Sequence, residues 1–353
     1  MPYKNAKRKP DIMFLNIVFC LLVMFIHIAS EVVTQMPADS LLFEIVYVAQ
    51  RLSFFVVPGF ILLSGIKLYL NNGEKINYLK YYSSRIYRIF VPYVIWVTIY
   101  FIWFCSRGMY EFSVERLLQG IFTGDIWAHF YFVVILMQFI ILTPVWRVLY
   151  KRGSVAEHMC YSLIITVISL LYLMSVLTTA FPGIPNMDVS KCFLSYLIYW
   201  TAGCLIGKNY DAFKNYLRTN KIRITVIFLV CGCIEGYLSY VTRRVSPIWM
   251  NLFRMMYNMS AITFFFMIGQ VFYTKAKVLL KPMAVIDRSS YMIYLTHCLV
   301  IVMVNEEMTR RGISDIGTRF GIRAGAVYII TFAVCIIWRL LRLCFKGKKK
   351  NGE

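Results

Sequence analysis

The chain has 353 residues, of which 59% are hydrophobic, 17% aromatic and only 16% charged, and its formal net charge is +21. Mean hydropathy is +0.65, and so little charge with such long apolar runs excludes an ordinary soluble domain of this length. The ten cysteines form no CxxC pair or regular framework, which argues against a disulfide scaffold and against a metal site, and for small, reduced, buried side chains.

In chain order, apolar spans are predicted near 12–34, 42–69, 86–105, 127–149, 159–180, 190–207, 222–241, 249–273, 283–304 and 321–344. Each reaches or approaches the ~20 residues that cross about 30 Å of hydrocarbon, and helices satisfy their own backbone there. The expected fold is all-α: a polytopic membrane protein with about ten transmembrane helices, one domain over residues 1–353. The basic start leads into an apolar run too long for a signal-peptide core, with no small-residue cleavage site, so residues 1–11 are expected to stay as a cytoplasmic segment. Pro58-Gly59, Pro92 and Pro144 should kink spans two, three and four. The loop 106–126 is expected to carry a short amphipathic helix on the outer surface. No repeat of 20–50 residues is visible, and no matched pair of interrupted helices in two halves, which weighs against a transporter.

The cations alternate with the loops. One set of loops and both chain ends hold 26 Lys and Arg, and the opposite set holds nine: Arg107, Arg116, Lys191, Arg243, Arg244, Arg310, Arg311, Arg319 and Arg323. The positive-inside rule then puts both termini in the cytoplasm. The basic tail 345–353 reads as an anchor to acidic lipid. This placement accounts for the charge without nucleic acid as a partner.

Polar residues inside the spans carry the functional signal, because they are expensive in hydrocarbon. With Asn16 as origin, Cys20 falls at about 40°, His27 at about 20° and Glu31 at about 60° on one face of span one. His27 lies roughly 22 Å from the start of that span. In span nine, Asp287, Ser290, Tyr294 and His297 share an arc of about 80°, with His297 at a matching depth of about 21 Å. Two of the four histidines are thus expected to face each other in a bundle interior, and His129 and Arg51 are candidates to join them. Glu31, one turn beyond His27, is expected to fix the imidazole tautomer.

Five stretches resemble the acyltransferase-3 family of integral-membrane acyltransferases. NIVFCLLVMFIH (16–27) is similar to the first-helix signature, in which a basic residue precedes a His by eleven positions, and RLSFFVVPGFILLSG (51–65) to the second-helix R…VPxFFxxSG pattern. YLKYYSSRIYRIFVPYVIW (78–96) resembles the basic entry to the third helix, AHFYFVVILMQFIILTP (128–144) the HLWFL…P helix, and SSYMIYLTHCLV (289–300) the late S-x-x-IYLxH helix.

The resemblance implies transfer of an acyl group, usually acetyl, from cytoplasmic acyl-CoA to a hydroxyl of a cell-surface or lipid-linked glycan. It places the protein in a bacterial plasma membrane, with no permanently bound cofactor. In that scheme Lys80, Arg85 and Arg88 would hold the CoA phosphates, and His27, oriented by Glu31, would act as general base. His297 and Tyr294 would position the acyl carbonyl or stabilise its oxyanion. Asn16, Arg51, Ser64, His129, Tyr131 and Ser290, within the matched stretches, are the remaining substrate-binding candidates. No serine nucleophile elbow is present, so nothing demands an acyl-enzyme. Asn16 stands where the family usually has Arg or Lys. Either Arg51 or Arg85 supplies the missing charge, or activity is altered. Two other readings are an exporter of a glycan or small polar solute and a non-catalytic relative.

The orientation can be checked directly. Asn186→Cys should react with a membrane-impermeant maleimide in whole cells and Tyr216→Cys only after permeabilisation; the reverse pattern would invert the assignment.

Overall fold

A computed structural model of the chain describes residues 9–72, 76–180, 191–242, 249–275 and 280–348. Residues 1–8 and the end of the basic tail, 349–353, are outside the described residues. The described residues are overwhelmingly helical and contain no strand. In chain order the helices are α1 (Pro10–Ile28), α2 (Ser30–Gln35), α3 (Leu41–Ser53), α4 (Val56–Asn72), α5 (Tyr78–Arg85), α6 (Val91–Ser106), α7 (Val114–Thr123) and α8 (Tyr131–Ile141). They continue with α9 (Thr143–Leu149), α10 (Val155–Ala180), α11 (Leu197–Lys208), α12 (Tyr210–Thr219), α13 (Lys221–Val241), α14 (Met250–Lys275), α15 (Leu280–Arg310) and α16 (Ile316–Lys348).

Among the described residues, eight helical stretches are long and apolar enough to cross a membrane, or nine when α7 and the helix after it, bent by 49°, count as one span. This is an all-α polytopic membrane protein. The predicted span 190–207 takes a different form from the others. A 3₁₀ turn at Phe193–Tyr196 leads into α11, a helix of only 12 residues, about 18 Å long. Nearly every side chain of α11 is buried.

The prolines act where their chemistry requires. A proline ring clashes with the carbonyl four residues before it and cannot donate an N–H. Pro58 faces the carbonyl of Phe54 in this way, and helical winding stops at Phe54-Phe55 between α3 and α4. Pro144 does the same to α8, which ends at Ile141, with Leu142 the break before α9. Before Pro92 the winding widens into a π-turn at Ile86–Phe90, the usual accommodation of a missing donor within a helix. The expected amphipathic helix in 106–126 is α7. It is capped by the Ser113 hydroxyl and ended by Gly124 at φ 66°, and it exposes Val114, Leu118 and Phe122 at i, i+4 spacing.

The chain forms two compact units, each assembled from separated segments: 1–56, 220–245 and 260–353 in the first, 57–219 and 246–259 in the second. In the second unit α4 and α11 meet backbone to backbone. A Cβ added at Gly65 would lie 2.7 Å from the Trp200 carbonyl oxygen, and one at Gly207 2.7 Å from that of Ile66; one at Gly203 would overlap the Leu62 carbonyl. Small residues permit this close approach, which carries much of helix packing in lipid.

In the first unit the order of paired residues gives helix direction. Asn16 pairs with Asp287 and His27 with His297, so α1 and α15 run parallel. Leu21 pairs with Tyr328 and Ile28 with Arg323, so α16 runs antiparallel to α1. Gly203→Ala should cost about 1–3 kcal/mol through forced separation of α4 and α11. Gly321→Ala, with nothing within 4 Å of the added Cβ, should be neutral or stabilising; melting of detergent-solubilised protein compares the two.

Candidate active site

The first unit gathers the polar residues of α1, α15 and α16. The rings of His27 and His297 lie 5.2 Å apart, centroid to centroid, tilted by 56°; His297 is fully buried. Helical spacing predicts this meeting, since both residues sit at the same height on parallel helices. His297 Nδ1 lies 3.2 Å from the Ile293 carbonyl oxygen. A carbonyl only accepts, so Nδ1 carries the proton and the neutral ring keeps its lone pair on Nε2. That Nε2 is 3.3 Å from the Cys298 sulfur. The Tyr294 ring lies 5.9 Å from that of His297, and the Ser290 hydroxyl donates to the carbonyl of Asp287 at 2.8 Å.

Asn16 Nδ2 donates to Asp287 Oδ1 at 2.7 Å in a buried bond. Positions 16 and 27 are eleven residues apart and 287 and 297 ten, so the amide–carboxylate and imidazole pairs form two rungs about 15 Å apart along α1 and α15. The Cys20 sulfur contacts the Ser290 carbonyl oxygen at 3.7 Å between them.

Glu31 departs from expectation. Its carboxylate is bound by Arg319 Nε at 2.8 Å and by Arg323, and not by the imidazole of His27. Ala29 keeps right-handed helical dihedrals, and i to i−4 bonds run to and from it, so helical phase carries through to Glu31; two guanidiniums of α16 draw its carboxylate away from His27. Arg323 is fully buried and also donates from Nη1 to the Ile28 carbonyl oxygen at 2.8 Å and from Nε to Asn305 Oδ1 at 2.9 Å. Arg319 Nη1 reaches the Ile313 carbonyl oxygen at 3.0 Å. Sequence reasoning counted both arginines as outer-loop cations. Their i, i+4 spacing at the start of an apolar helix was the only available sign of a shared partner.

The other candidates lie elsewhere. In the first unit, the Arg51 guanidinium sits over the rings of Tyr47 and Phe54, at 4.8 and 5.0 Å. In the second unit, His129 is buried beside Phe130 and Tyr100 in a 3₁₀ turn, with Tyr131 opening α8 directly after it. The Ser64 hydroxyl is engaged by its own helix, donating to Phe60 O at 2.8 Å. Lys80 and Arg88 are exposed around the π-turn, and the Arg85 guanidinium lies 5.1 Å from the Tyr81 ring centroid. The geometry therefore brings His27, His297 and Tyr294 together, sets Asn16 and Asp287 with Ser290 on a separate rung nearer the start of α1, and moves Glu31 into an ion cluster with Arg319 and Arg323.

The sequence model of the acyltransferase-3 family, described as an acyltransferase domain, matches residues 11–339. The chain belongs to this family. Among curated proteins it is 24% identical over 309 residues to a probable poly-beta-1,6-N-acetyl-D-glucosamine export protein of Staphylococcus epidermidis, covering 84% of this chain and 82% of that one. A protein of the same description from Staphylococcus aureus strain Mu50 is 22% identical over 307 residues, covering 84% and 83%. No solved structure matches the chain.

Glu31→Gln should destabilise the protein, by about 3–5 kcal/mol, because it strands two buried guanidiniums. The loss would appear as reduced monodisperse yield and a lower melting temperature, and should exceed that of His27→Gln.

Proposed function

We propose that the protein is a membrane acyltransferase that moves an acyl group, acetyl in the simplest case, from cytoplasmic acyl-CoA to a hydroxyl of a cell-surface or lipid-linked glycan in a bacterial plasma membrane. The observation that carries this reading is the His27–His297 pair, its rings 5.2 Å apart on parallel helices inside a chain of the acyltransferase-3 family. One imidazole lone pair takes the proton of the acceptor hydroxyl as its oxygen attacks the thioester carbonyl. The tetrahedral intermediate then collapses and expels the CoA thiolate. His27, half-buried at the end of α1, is the base in this scheme. The Tyr294 hydroxyl steadies the oxyanion, and His297, whose one N–H is held by the Ile293 carbonyl, is assigned to positioning the acyl group.

The relatives favour an acceptor related to N-acetylglucosamine polymers, and their names as export proteins also support a second reading, in which the chain exports such a glycan. Radiolabelled acetyl-CoA added to inverted vesicles separates the two. Acyl transfer gives protein-dependent labelled glycan; export gives glycan flux with the CoA ester intact. His27→Gln keeps hydrogen bonding but loses the base, and should lower transfer by about 10²–10⁴-fold with normal insertion. Near-normal transfer in that variant would refute the assignment of His27.

A further inference from the structure

Cys298 has no part in the scheme above, yet it sits against both imidazoles. One ring nitrogen of His27, one of His297 and the Cys298 sulfur all lie within 4.8 Å of one another. The sequence shows none of the usual short-range spacing of such ligands, because His27 and Cys298 come from opposite ends of the chain. We propose that these three side chains form a binding site for a borderline-soft transition-metal ion, Zn²⁺ in the cell, and that its occupancy shuts off the base.

The donor chemistry selects the ion. One thiolate with two neutral imidazoles suits Zn²⁺ and its neighbours and disfavours Mg²⁺ and Ca²⁺, which take oxygen ligands. The geometry is close to what is needed. Zinc–nitrogen and zinc–sulfur bonds of about 2.0 and 2.3 Å set tetrahedral edges of roughly 3.5 Å. The Cys298 Sγ to His297 Nε2 edge is 3.3 Å. The longest edge closes by about one ångström through side-chain rotation.

The tautomer is already set. Histidine ligands usually donate their other N–H to a carbonyl or carboxylate, and His297 donates Nδ1–H to Ile293, which leaves Nε2 on the cysteine side as the donor atom. On binding, Cys298 gives up its S–H proton to solvent and ligates as the thiolate. Three protein ligands leave a fourth position for water. The ion takes the same His27 lone pair that proton abstraction requires, so metal binding and base catalysis exclude each other; this consequence rests on the functional reading above.

Cobalt is the probe. Purified protein in detergent, titrated with Co²⁺, should develop a thiolate-to-metal charge-transfer band saturating at one equivalent, and Zn²⁺ should bleach it. Cys298→Ser should abolish the band, and His27→Gln should shift its ligand-field absorption. Cys160→Ser, at an exposed cysteine, should leave the band intact. No charge-transfer band in the wild-type protein, or a band unchanged in Cys298→Ser, overturns the site, and the wild-type measurement stands even if a variant fails to fold. In vesicles, the Zn²⁺ concentration that halves acyl transfer should rise by roughly tenfold or more in Cys298→Ser relative to its own metal-free rate. Equal sensitivity would overturn the inhibitory role. The cobalt titration needs no turnover, so loss of the metal site and loss of the acyl-transfer reading are separate results.

Discussion

The first unit depends on one buried ion cluster. A carboxylate and two guanidiniums are withdrawn from water, and each alone would be too costly to hold there. Together they fix where four helices meet: Glu31 from α2, Arg319 and Arg323 from α16, Asn305 from α15 and the Ile28 carbonyl that ends α1. The last contact matters most for chemistry. The final carbonyls of a helix have no partner within it, and Arg323 satisfies one of them at the residue after His27. The arginine therefore caps α1 and immobilises its last turn, where the imidazole is carried. Glu31 binds the same arginine that makes this cap.

Much of this was legible in the sequence, for identifiable reasons. Proline chemistry is local, and the breaks before Pro58, Pro92 and Pro144 fall where ring and missing donor put them. The two-histidine rung was legible because helical phase and rise hold within an unbroken helix, so His27 on α1 and His297 on α15 were placed at one height independently. The partner of Glu31 was not legible because helical phase gives only its side of the helix, and the groups that take its carboxylate come from α16. Arg319 and Arg323 are 288 and 292 positions beyond Glu31, a pairing no periodicity reports, and a charge count cannot tell a loop cation from one folded inward. The short helix α11 was also beyond reach: its apolar run continues upstream, and only the 3₁₀ turn at Phe193–Tyr196 shows where the helix begins.

Asn16, which stands where a cation is expected, changes the chemistry of its rung. A cation at this position would form an ion pair with Asp287; the amide gives the same partner a single neutral donor. The amide reaches the carboxylate at 2.7 Å, so the contact is kept while the charge complementarity of this pair is lost. Arg51 does not restore it through its observed contacts, since its guanidinium rests on aromatic rings of its own segment. The lower rung joins α1 and α15 about three turns from the imidazoles.

Register also constrains the number of crossings. Parallel α1 and α15 must be separated by an odd number of membrane passages, and antiparallel α16 adds one more. Between α1 and α15, five single spans qualify by length and apolarity, with the bent α7–α8 pair and the short α11 as additional candidates. Counting exactly one of these two would make α15 antiparallel to α1, against the observed order of the rungs. Either both cross or neither does, giving ten candidate spans or eight among the described residues. Both totals are even, so either way the two chain ends emerge on the same membrane face. This conclusion comes from hydrogen-bond and ring-pair order alone and is independent of the Lys and Arg count, which is needed only to say which face that is.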